Sequence, residues 1–473
     1  MKINKLLNCK FVNNHIVSII TDNSKECIEN SVFILNKNNQ TFLNEAIKNG
    51  TKTVISEFAI NLPDNINSLI VKNIKKFQSK ILSKFYKNII KKYTVIGITG
   101  TNGKTSTCNY LYQYLRMLNE DVLLISSNGI FLDDLKFETQ NTTPDIFTIY
   151  KYAKKNLIKN KFKKQKKKNH YLILECSSQG IRNLRVKYIP FDIVLFTNIT
   201  SDHLDYHKDL SDYFFSKCLL LNNLKPNGIV ICNNDHCDDI LIDEICNTSC
   251  FTFGSTGDVS YKIISTSLSN TIFELTDNNQ TMLLETPILS GYQIENLIGV
   301  YSLIKYLNLD TAYYKAFIQK IKPISGRLNV YNIKNRTIVI DYAHTFIATK
   351  SIINFIKQNT NNNIFVVVGC GGNRDKTKRS KIGKFTTTNA DFVVFTEDNN
   401  RLESFDEIIK DIISNIDTDN YKVIQSRYDA ISYAISNMKE SDILLILGKG
   451  TERTIVENNF MTDYEMALKI IND

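Results

Sequence analysis

Apolar and polar positions change rhythm twice along the chain. From Met1 to Ile90, short apolar runs (HIVSII, SVFIL, KTVIS and NSLIV) alternate with polar turns and one helix-like stretch, Phe42 to Asn49. Runs that short, bounded by turn residues, predict the strands of a small α/β domain. From Tyr93 the runs become apolar throughout, at Thr94 to Ile98, Asp121 to Ser126, Tyr171 to Glu175, Ile193 to Asn198 and Gly228 to Cys232, with helix-like stretches between several of them. A strand that is apolar on both faces has to be covered on both, so this block predicts a parallel sheet between layers of helix. After Ser325-Gly326-Arg327 a third alternating block begins, with strands expected at Thr337 to Asp341, Ile364 to Val368, Phe392 to Thr396, Lys422 to Gln425 and Ile443 to Leu447. A length of 473 residues, at roughly 150 per domain, agrees with three domains, placed at residues 1–92, 93–325 and 326–473.

Composition narrows the class. Hydrophobic residues make up 43% and charged residues 22%, the balance of a folded soluble chain, and no apolar run approaches the roughly 18 residues that a membrane span needs. The opening MKINKLLNCK has neither the apolar core nor the cleavage site of a secretory signal, which predicts a cytoplasmic protein. A net charge of +10 favours anionic partners without choosing among them. Only 10 of the 58 basic residues are Arg, so an Arg kept against that drift points to a need for its planar fork. The densest basic stretch, Lys159 to Lys168, has Phe162 as its only aromatic and reads as a solvated loop rather than a nucleic-acid surface. The ten cysteines include no CxxC pair, and reduced thiols are expected. Cys232, His236, Cys237, Cys246 and Cys250 crowd together, but their spacing fits no paired-ligand pattern, so buried thiols are expected there before zinc.

The sharpest chemistry is Gly97-Ile-Thr-Gly100-Thr101-Asn102-Gly103-Lys104-Thr105-Ser106, which is close to GxxxxGK[ST] with five residues instead of four between Gly97 and Gly103, follows a strand-like TVIGI and opens a helix-like TSTCNYLYQYLRML. Glycines let backbone N–H groups wrap phosphate oxygens, the helix directs its positive end at them, Lys104 neutralises the outer phosphates, and the Thr105 hydroxyl suits Mg²⁺. The segment therefore predicts ATP or GTP binding. Ligands of such sheets sit beyond the carboxyl ends of the strands, and those ends carry Glu175-Cys176-Ser177-Ser178, Thr197-Asn198 and Asp202-His203-Leu204-Asp205-Tyr206-His207. Glu175 and His203 are candidates to hold a divalent ion beside the nucleotide.

GITGTNGKTS, ECSS, FTNITSDHLDYH, SGRLN, IDYAHT, VVGCGGNRDKTKR and GKG stand in the order, and at about the spacings, of the Mur ligases. The chain resembles that family over nearly its whole length, least before Tyr93, and within it most resembles the ligases that add the third residue of the peptidoglycan stem peptide. The resemblance implies an α/β fold of three domains: a small N-terminal one for the UDP end, a central P-loop parallel-sheet one for ATP, and a C-terminal Rossmann-like one for the amino acid. It implies an ATP-dependent amide ligation through an acyl phosphate, with Mg²⁺ held by Thr105, Glu175, His203 and a carbamylated Lys217. Catalysis would then involve Lys104, His203 and Lys217. Asn296 would sit near the adenine, and Arg327 and Asp341 would hold the nucleotide from the third domain, with His344 in the same motif. Ser24, Thr142, Thr143, Ser177, Asn183 and Arg185 would contact the UDP-muramoyl substrate.

For the incoming amino acid the same likeness implies Arg374, Asp398, Asn399, Asn400, Arg401, Gly448 and Glu452. Asp398-Asn399-Asn400-Arg401 resembles the Asp-Asn-Pro-Arg of enzymes that add meso-diaminopimelate, whose second carboxylate suits a guanidinium, with Glu452 balancing the distal ammonium. Departures from the family are Asn400 for proline, Gln179 for His, Asn183 for Gln, Phe346 for proline and Thr451 for His. The competing readings are a relative that adds lysine or another amino acid, a folate polyglutamate ligase, and a P-loop nucleic-acid ATPase that uses the lysine stretch. The expectation is a monomer acting on small molecules, with no nucleic-acid and no membrane partner.

Overall fold

The computed structural model describes residues 1–139, 141–161, 169–200, 206–237, 250–457 and 459–473. These fall into two compact units, one of Met1–Gly97, Leu118–Val194 and Leu219–Ile229, the other of Ile98–Met117, Leu195–Cys218 and Val230–Asp473. Three main sheets follow one another along the chain, as the changes in apolar rhythm predict.

The first sheet has strands β1 (Ile20–Thr21), β2 (Ser31–Ile34), β3 (Thr51–Ser56) and β4 (Asn67–Ile70) in sequential, parallel order. Phe33, Leu35 and Val54 from its strands and their ends close a small core with Ala46 of the helix Leu43–Lys48.

The second sheet has eleven strands in the order β15-β14-β13-β12-β11-β10-β5-β9-β6-β7-β8. They are β5 (Thr94–Thr99), β6 (Asp121–Ser126), β7 (Gly129–Leu132), β8 (Leu135–Phe137), β9 (His170–Glu175), β10 (Phe191–Phe196), β11 (Leu224–Asn233), β12 (Phe251–Gly254), β13 (Val259–Thr266), β14 (Thr271–Asp277) and β15 (Gln280–Thr286). All five apolar runs read in this block are strands. The parallel pairing expected of these runs is present, as between β6 and β9, and the sheet extends beyond them by strands the sequence reading did not identify, since β6-β7-β8 and β13-β14-β15 pair antiparallel. The latter ribbon alternates buried Phe273 and Leu275 with more exposed neighbours, a half-buried pattern that continuous apolar runs do not reveal. The basic stretch is corrected as well, since Lys159 to Lys161 complete the helix Ile146–Lys161; residues 162–168 lie outside the described residues.

The third sheet has the order β16-β17-β21-β18-β19-β20, with β16 (Asn329–Ile333), β17 (Arg336–Asp341), β18 (Ile364–Val368), β19 (Phe392–Phe395), β20 (Tyr421–Val423) and β21 (Ile443–Leu447). Only β16 runs antiparallel. The period of two divides each strand between two cores. Val339, Val366, Val393 and Leu445 pack with Ile352 and Ile356 of the helix Phe346–Gln358, whereas Ile338, Ile340, Val367 and Leu444 pack with Ile431 and Met466 on the other face.

On that second face, Arg427 and Asp463 are fully buried and join in a two-toothed pair, Nε to Oδ1 at 2.7 Å and Nη2 to Oδ2 at 2.8 Å. Nη2 also donates to the Leu447 carbonyl at 3.0 Å, tying the helices Arg427–Asn437 and Asp463–Asn472 to the end of β21. Breaking such a pair strands a charge in the core. Asp463→Ala is therefore expected to cost about 3–5 kcal/mol, read as a lowered urea midpoint; an unshifted midpoint would show that the pair contributes nothing.

Candidate functional site

In the second unit, β5 ends at Thr99 and the helix Lys104–Met117 begins after four intervening residues, so residues 100–103 form the turn that the motif predicts. The end of β10 seats that turn. Thr101 N donates to the Asn198 carbonyl and Asn102 N to Asn198 Oδ1, both at 2.8 Å, and Thr197 Oγ1 donates to the Asn102 carbonyl at 2.6 Å. Gly100 and Gly103 have φ of 145° and 80°, and a Cβ on them would come within 1.9 Å of Thr197 Oγ1 and 2.2 Å of Asn296 Oδ1. Neither position accepts a side chain.

Two ammonium groups converge on one carbonyl of this turn. Lys104 Nζ donates to Gly100 O at 2.9 Å and to Thr101 O at 2.6 Å, and Lys217 Nζ donates to the same Gly100 O at 2.7 Å. Lys217, on the helix Leu210–Cys218, is 1% exposed, and its ammonium lies 4.2 Å from the centre of the Tyr213 ring. Concentrated positive charge of this kind, beside a helix N-terminus, favours an anion of high charge. His203 lies outside the described residues. His207, gathered with it by the sequence, is buried against the rings of Tyr206 and Tyr213.

A cavity of about 600 Å³ opens beside the turn, lined among others by Asn102, Gly103, Ser106, Asn296, Arg327 and Asp341. The sequence-predicted nucleotide residues thus come together. Asn296 Oδ1 accepts from Thr107 Oγ1 at 3.2 Å, Arg327 reaches Thr105 Oγ1 at 3.5 Å, and the Arg327 guanidinium lies 4.6 Å from the Tyr342 ring centre. Asp341, 5% exposed at the end of β17, accepts from Leu328 N at 2.6 Å. Burial pushes its carboxyl up to about 6 against the opposing pull of Arg327. His344 also lines this cavity, with Nδ1 2.9 Å from the Tyr342 carbonyl.

The sequence reading missed one cluster on the cavity wall. Glu295 receives Tyr261 Oη at 3.1 Å and Asn233 Nδ2 at 3.3 Å and pairs with His236 at 3.2 Å, which raises the imidazole pKa. His236 therefore serves this carboxylate. Among the described residues no group of three or more His, Cys, Asp or Glu is arranged to hold a metal; Cys232 and Cys237 are buried thiols, and Cys246 lies outside the described residues.

In the first unit, Glu175 ends β9 and its Oε2 accepts from Ser127 N at 2.8 Å. Thr143 is the hub of the neighbouring residues. Its hydroxyl donates to the Glu175 carbonyl at 2.8 Å, accepts from Ser177 N at 2.9 Å and lies 3.2 Å from Ser177 Oγ, while its carbonyl accepts from Arg185 at 2.9 Å. Thr143, Ser177 and Arg185 are thus brought together as predicted, with Thr142 half-buried beside them and Asn183 exposed at the end of the helix Ser178–Arg182. Ser24 is buried and donates to Glu45, so its hydroxyl is engaged within the first unit. A separate pocket of about 370 Å³ is lined by Asn36, Asn38, Glu57, Asn73, Lys75 and Tyr188, none of which the sequence reading singled out.

In the second unit, the loops beyond β18, β19 and β21 hold the residues expected for the amino acid. Asn399 Nδ2 donates to Glu452 Oε2 at 2.7 Å, and Tyr342 Oη donates to Glu452 Oε1. Arg401, at φ 54°, donates to the carbonyls of Gly372 at 2.8 Å and Asn399 at 3.3 Å. A Cβ on Gly448, at φ 109°, would lie 2.7 Å from Asp398 Oδ2, which explains a glycine there. Arg374 lies half-buried in the adjacent loop, and Glu403 N donates to the Asn400 carbonyl at 3.1 Å, closing the turn.

Behind these loops, Arg379 grips Glu403 with two bonds of 2.7 and 2.8 Å and also donates to Gly371 O at 3.1 Å and to Asp411 at 2.8 Å. Glu403 in turn accepts from Asn373 N at 2.8 Å. Arg379 holds the Glu403 carboxyl well below the usual carboxylate range. The clue to this pair was an Arg retained in a lysine-rich chain.

Comparison with known proteins agrees with this geometry. Residues 98–304 match the Mur ligase middle domain and residues 326–450 the Mur ligase, glutamate ligase domain. A UDP-N-acetylmuramoyl-L-alanyl-D-glutamate--2,6-diaminopimelate ligase of Bacillus velezensis is 31% identical over 467 residues, covering 96% of this chain and 93% of that protein. The ligase of the same name from Rickettsia rickettsii is 32% identical over 456 residues, covering 93% and 92%. Among solved structures, a UDP-N-acetylmuramoyl-L-alanyl-D-glutamate--2,6-diaminopimelate ligase aligns with a TM-score of 0.67 at 23% identity, covering 100% of this chain and 99% of that one. The MurF ligase of Thermotoga maritima in complex with ADP aligns with a TM-score of 0.67 at 19% identity, covering 96% of each chain. A phosphate turn at the end of a central strand, a nucleotide-sized cavity beside it, and full-length relatives all lead to one conclusion: the chain belongs to the Mur ligase family.

Proposed function

We propose that the protein is an ATP-dependent ligase that joins meso-diaminopimelate to UDP-N-acetylmuramoyl-L-alanyl-D-glutamate in peptidoglycan precursor synthesis, acting in the cytoplasm as a monomer on small-molecule substrates. The observation that carries this reading is the Lys104 ammonium, held at the phosphate turn by the carbonyls of Gly100 and Thr101. In the reaction the D-glutamate carboxylate attacks the γ-phosphate, giving an acyl phosphate and ADP, and the incoming amine then displaces phosphate. Negative charge crowds together in the first step, and a preorganised cation opposes that crowding without reorganisation.

We assign the UDP end to residues 1–92, ATP to 93–325 and the amino acid to 326–473. Thr143, Ser177 and Arg185 support a muramoyl-peptide role through their shared hydrogen bonds. Thr105 offers a hydroxyl oxygen suited to Mg²⁺, and Glu175, in the other unit, is a carboxylate of the same hard-donor chemistry. As an ammonium, Lys217 cannot be a ligand; carbamylation would convert it into an oxygen donor, and we assign it and His203 to the same role. Bound Mg²⁺ would neutralise phosphate charge. We assign Arg401 to the second carboxylate of diaminopimelate, and Glu452 to the distal ammonium.

The primary test is phosphate release with the UDP-linked dipeptide and each candidate amino acid in turn. Diaminopimelate is expected to drive turnover, and turnover with lysine alone would reject the assignment. Lys217→Ala is expected to abolish ligation while leaving the ATP dissociation constant within about twofold; full activity would remove Lys217 from the mechanism. For Arg401→Ala the expected change is a rise of about 10- to 100-fold in KM for diaminopimelate, with KM for ATP unchanged, as befits the loss of one charge-assisted pair. Asp341 adds a pH dependence. Its carboxyl, pushed up to about 6, becomes neutral as the pH falls through that value, so ATP affinity is expected to weaken below it, and Asp341→Asn should flatten the acid limb in binding titrations.

A further inference from the structure

The net positive charge of the chain is concentrated on one helical layer of the first unit. Eight lysines lie between residues 72 and 92, and Lys151, Lys154, Lys155 and Lys159 lie on the helix Ile146–Lys161. Without these twelve, the chain would hold 46 basic residues against 48 acidic ones. The sequence places no Asp or Glu from 65 to 119 or from 146 to 174.

Folding brings the two groups together. The helix Ile74–Phe85 packs on the helix Ile146–Lys161, and so does the 3₁₀ turn Ile89–Lys92. The first helix buries Ile74, Ile81 and Leu82, which leaves Lys76, Lys80 and Lys84, each four residues apart, as an exposed stripe. Among the described residues the lysines from 72 to 92 form no ion pair, while Lys151 pairs with Glu26 and Lys159 with Asp133. So many unneutralised like charges on adjoining helices repel one another, a cost that an anionic surface would reverse.

The chemistry of the layer selects among polyanions. It contains no Arg, the first in the chain being Arg116, so it lacks the fork that reads phosphates in pairs. Rings of the layer are occupied by the chain's own ammonium groups, with Lys154 5.5 Å from the Tyr86 ring and Lys155 3.9 Å from the Phe137 ring, and these rings are then poor platforms for stacking a base. Ile158, seven residues after Lys151 and 45% exposed, adds an aliphatic side chain to the same stripe. Diffuse lysine charge around an exposed aliphatic group suits lipid headgroups better than a nucleic-acid backbone.

We propose that this layer docks the protein reversibly onto an anionic bilayer surface, with no segment crossing it. The proposal revises the expectation of no membrane partner and is independent of the ligase assignment. It is tested by cosedimenting the full chain with vesicles of equal phosphatidylglycerol and phosphatidylcholine, and with vesicles of phosphatidylcholine alone. Binding is expected only to the anionic vesicles and should fall steeply between low and high salt. Lys80→Gln, Lys91→Gln and Lys92→Gln combined should weaken it by about 100-fold, about fivefold for each charge, with the ligation rate in solution unchanged. Equal binding to both vesicles, unchanged binding by the triple variant, or tighter binding to duplex DNA or RNA at the same salt would each overturn the proposal.

Discussion

The candidate nucleotide site rests on the seating of residues 100–103 against the end of β10. Backbone groups of a four-residue turn cannot present their N–H donors outward unless something holds their carbonyls and the glycine conformations in place. Asn198 does this through both its main chain and its side chain, and Thr197 reaches across to the Asn102 carbonyl. Close contact is possible only because Gly100 and Gly103 carry no side chain. Once the turn is fixed, the two lysines have a common acceptor, Asn296 has a neighbour in Thr107, and the cavity has its phosphate end.

The third sheet solves a different problem with the same logic. Its central strand, β21, lies between β17 and β18, so the loops after these strands and after β19 emerge along one edge. Residues distant in sequence, Tyr342, Asn399 and Glu452, therefore meet at one carboxylate. The strands themselves supply no chemistry there. They set the spacing of loops whose shapes are determined by buried charge pairs.

Much of this is legible in the sequence itself. Continuous apolar runs identify β5, β6, β9, β10 and the core strands of the third sheet, because strands covered on both faces leave an unbroken signal. The antiparallel ribbon β13-β14-β15 was not legible, since one exposed face dilutes its apolar content with polar residues. The phosphate turn and its lysine were readable because they are contiguous. Glu295, by contrast, draws its partners from two segments distant from it in sequence, and nothing local marks Asn233 and His236 as neighbours of Tyr261 or of Glu295. Ser24 shows the converse, a recognisable motif whose hydroxyl turns toward Glu45 inside the first unit.

The Arg379–Glu403 grip has a consequence for selectivity. Because it clamps the turn at 371–373 to the segment at 399–403 from behind, the two loops form a single preorganised tile, and an asparagine at 400 does without the stiffness of a proline ring. A ligand arriving at such a tile meets donors already in place and forfeits little chain entropy in ordering them. Choice between a diamino acid with one carboxylate and one with two then becomes a comparison of contacts made, not of loops folded, which is the regime in which a single side chain at the rim can change the preferred amine.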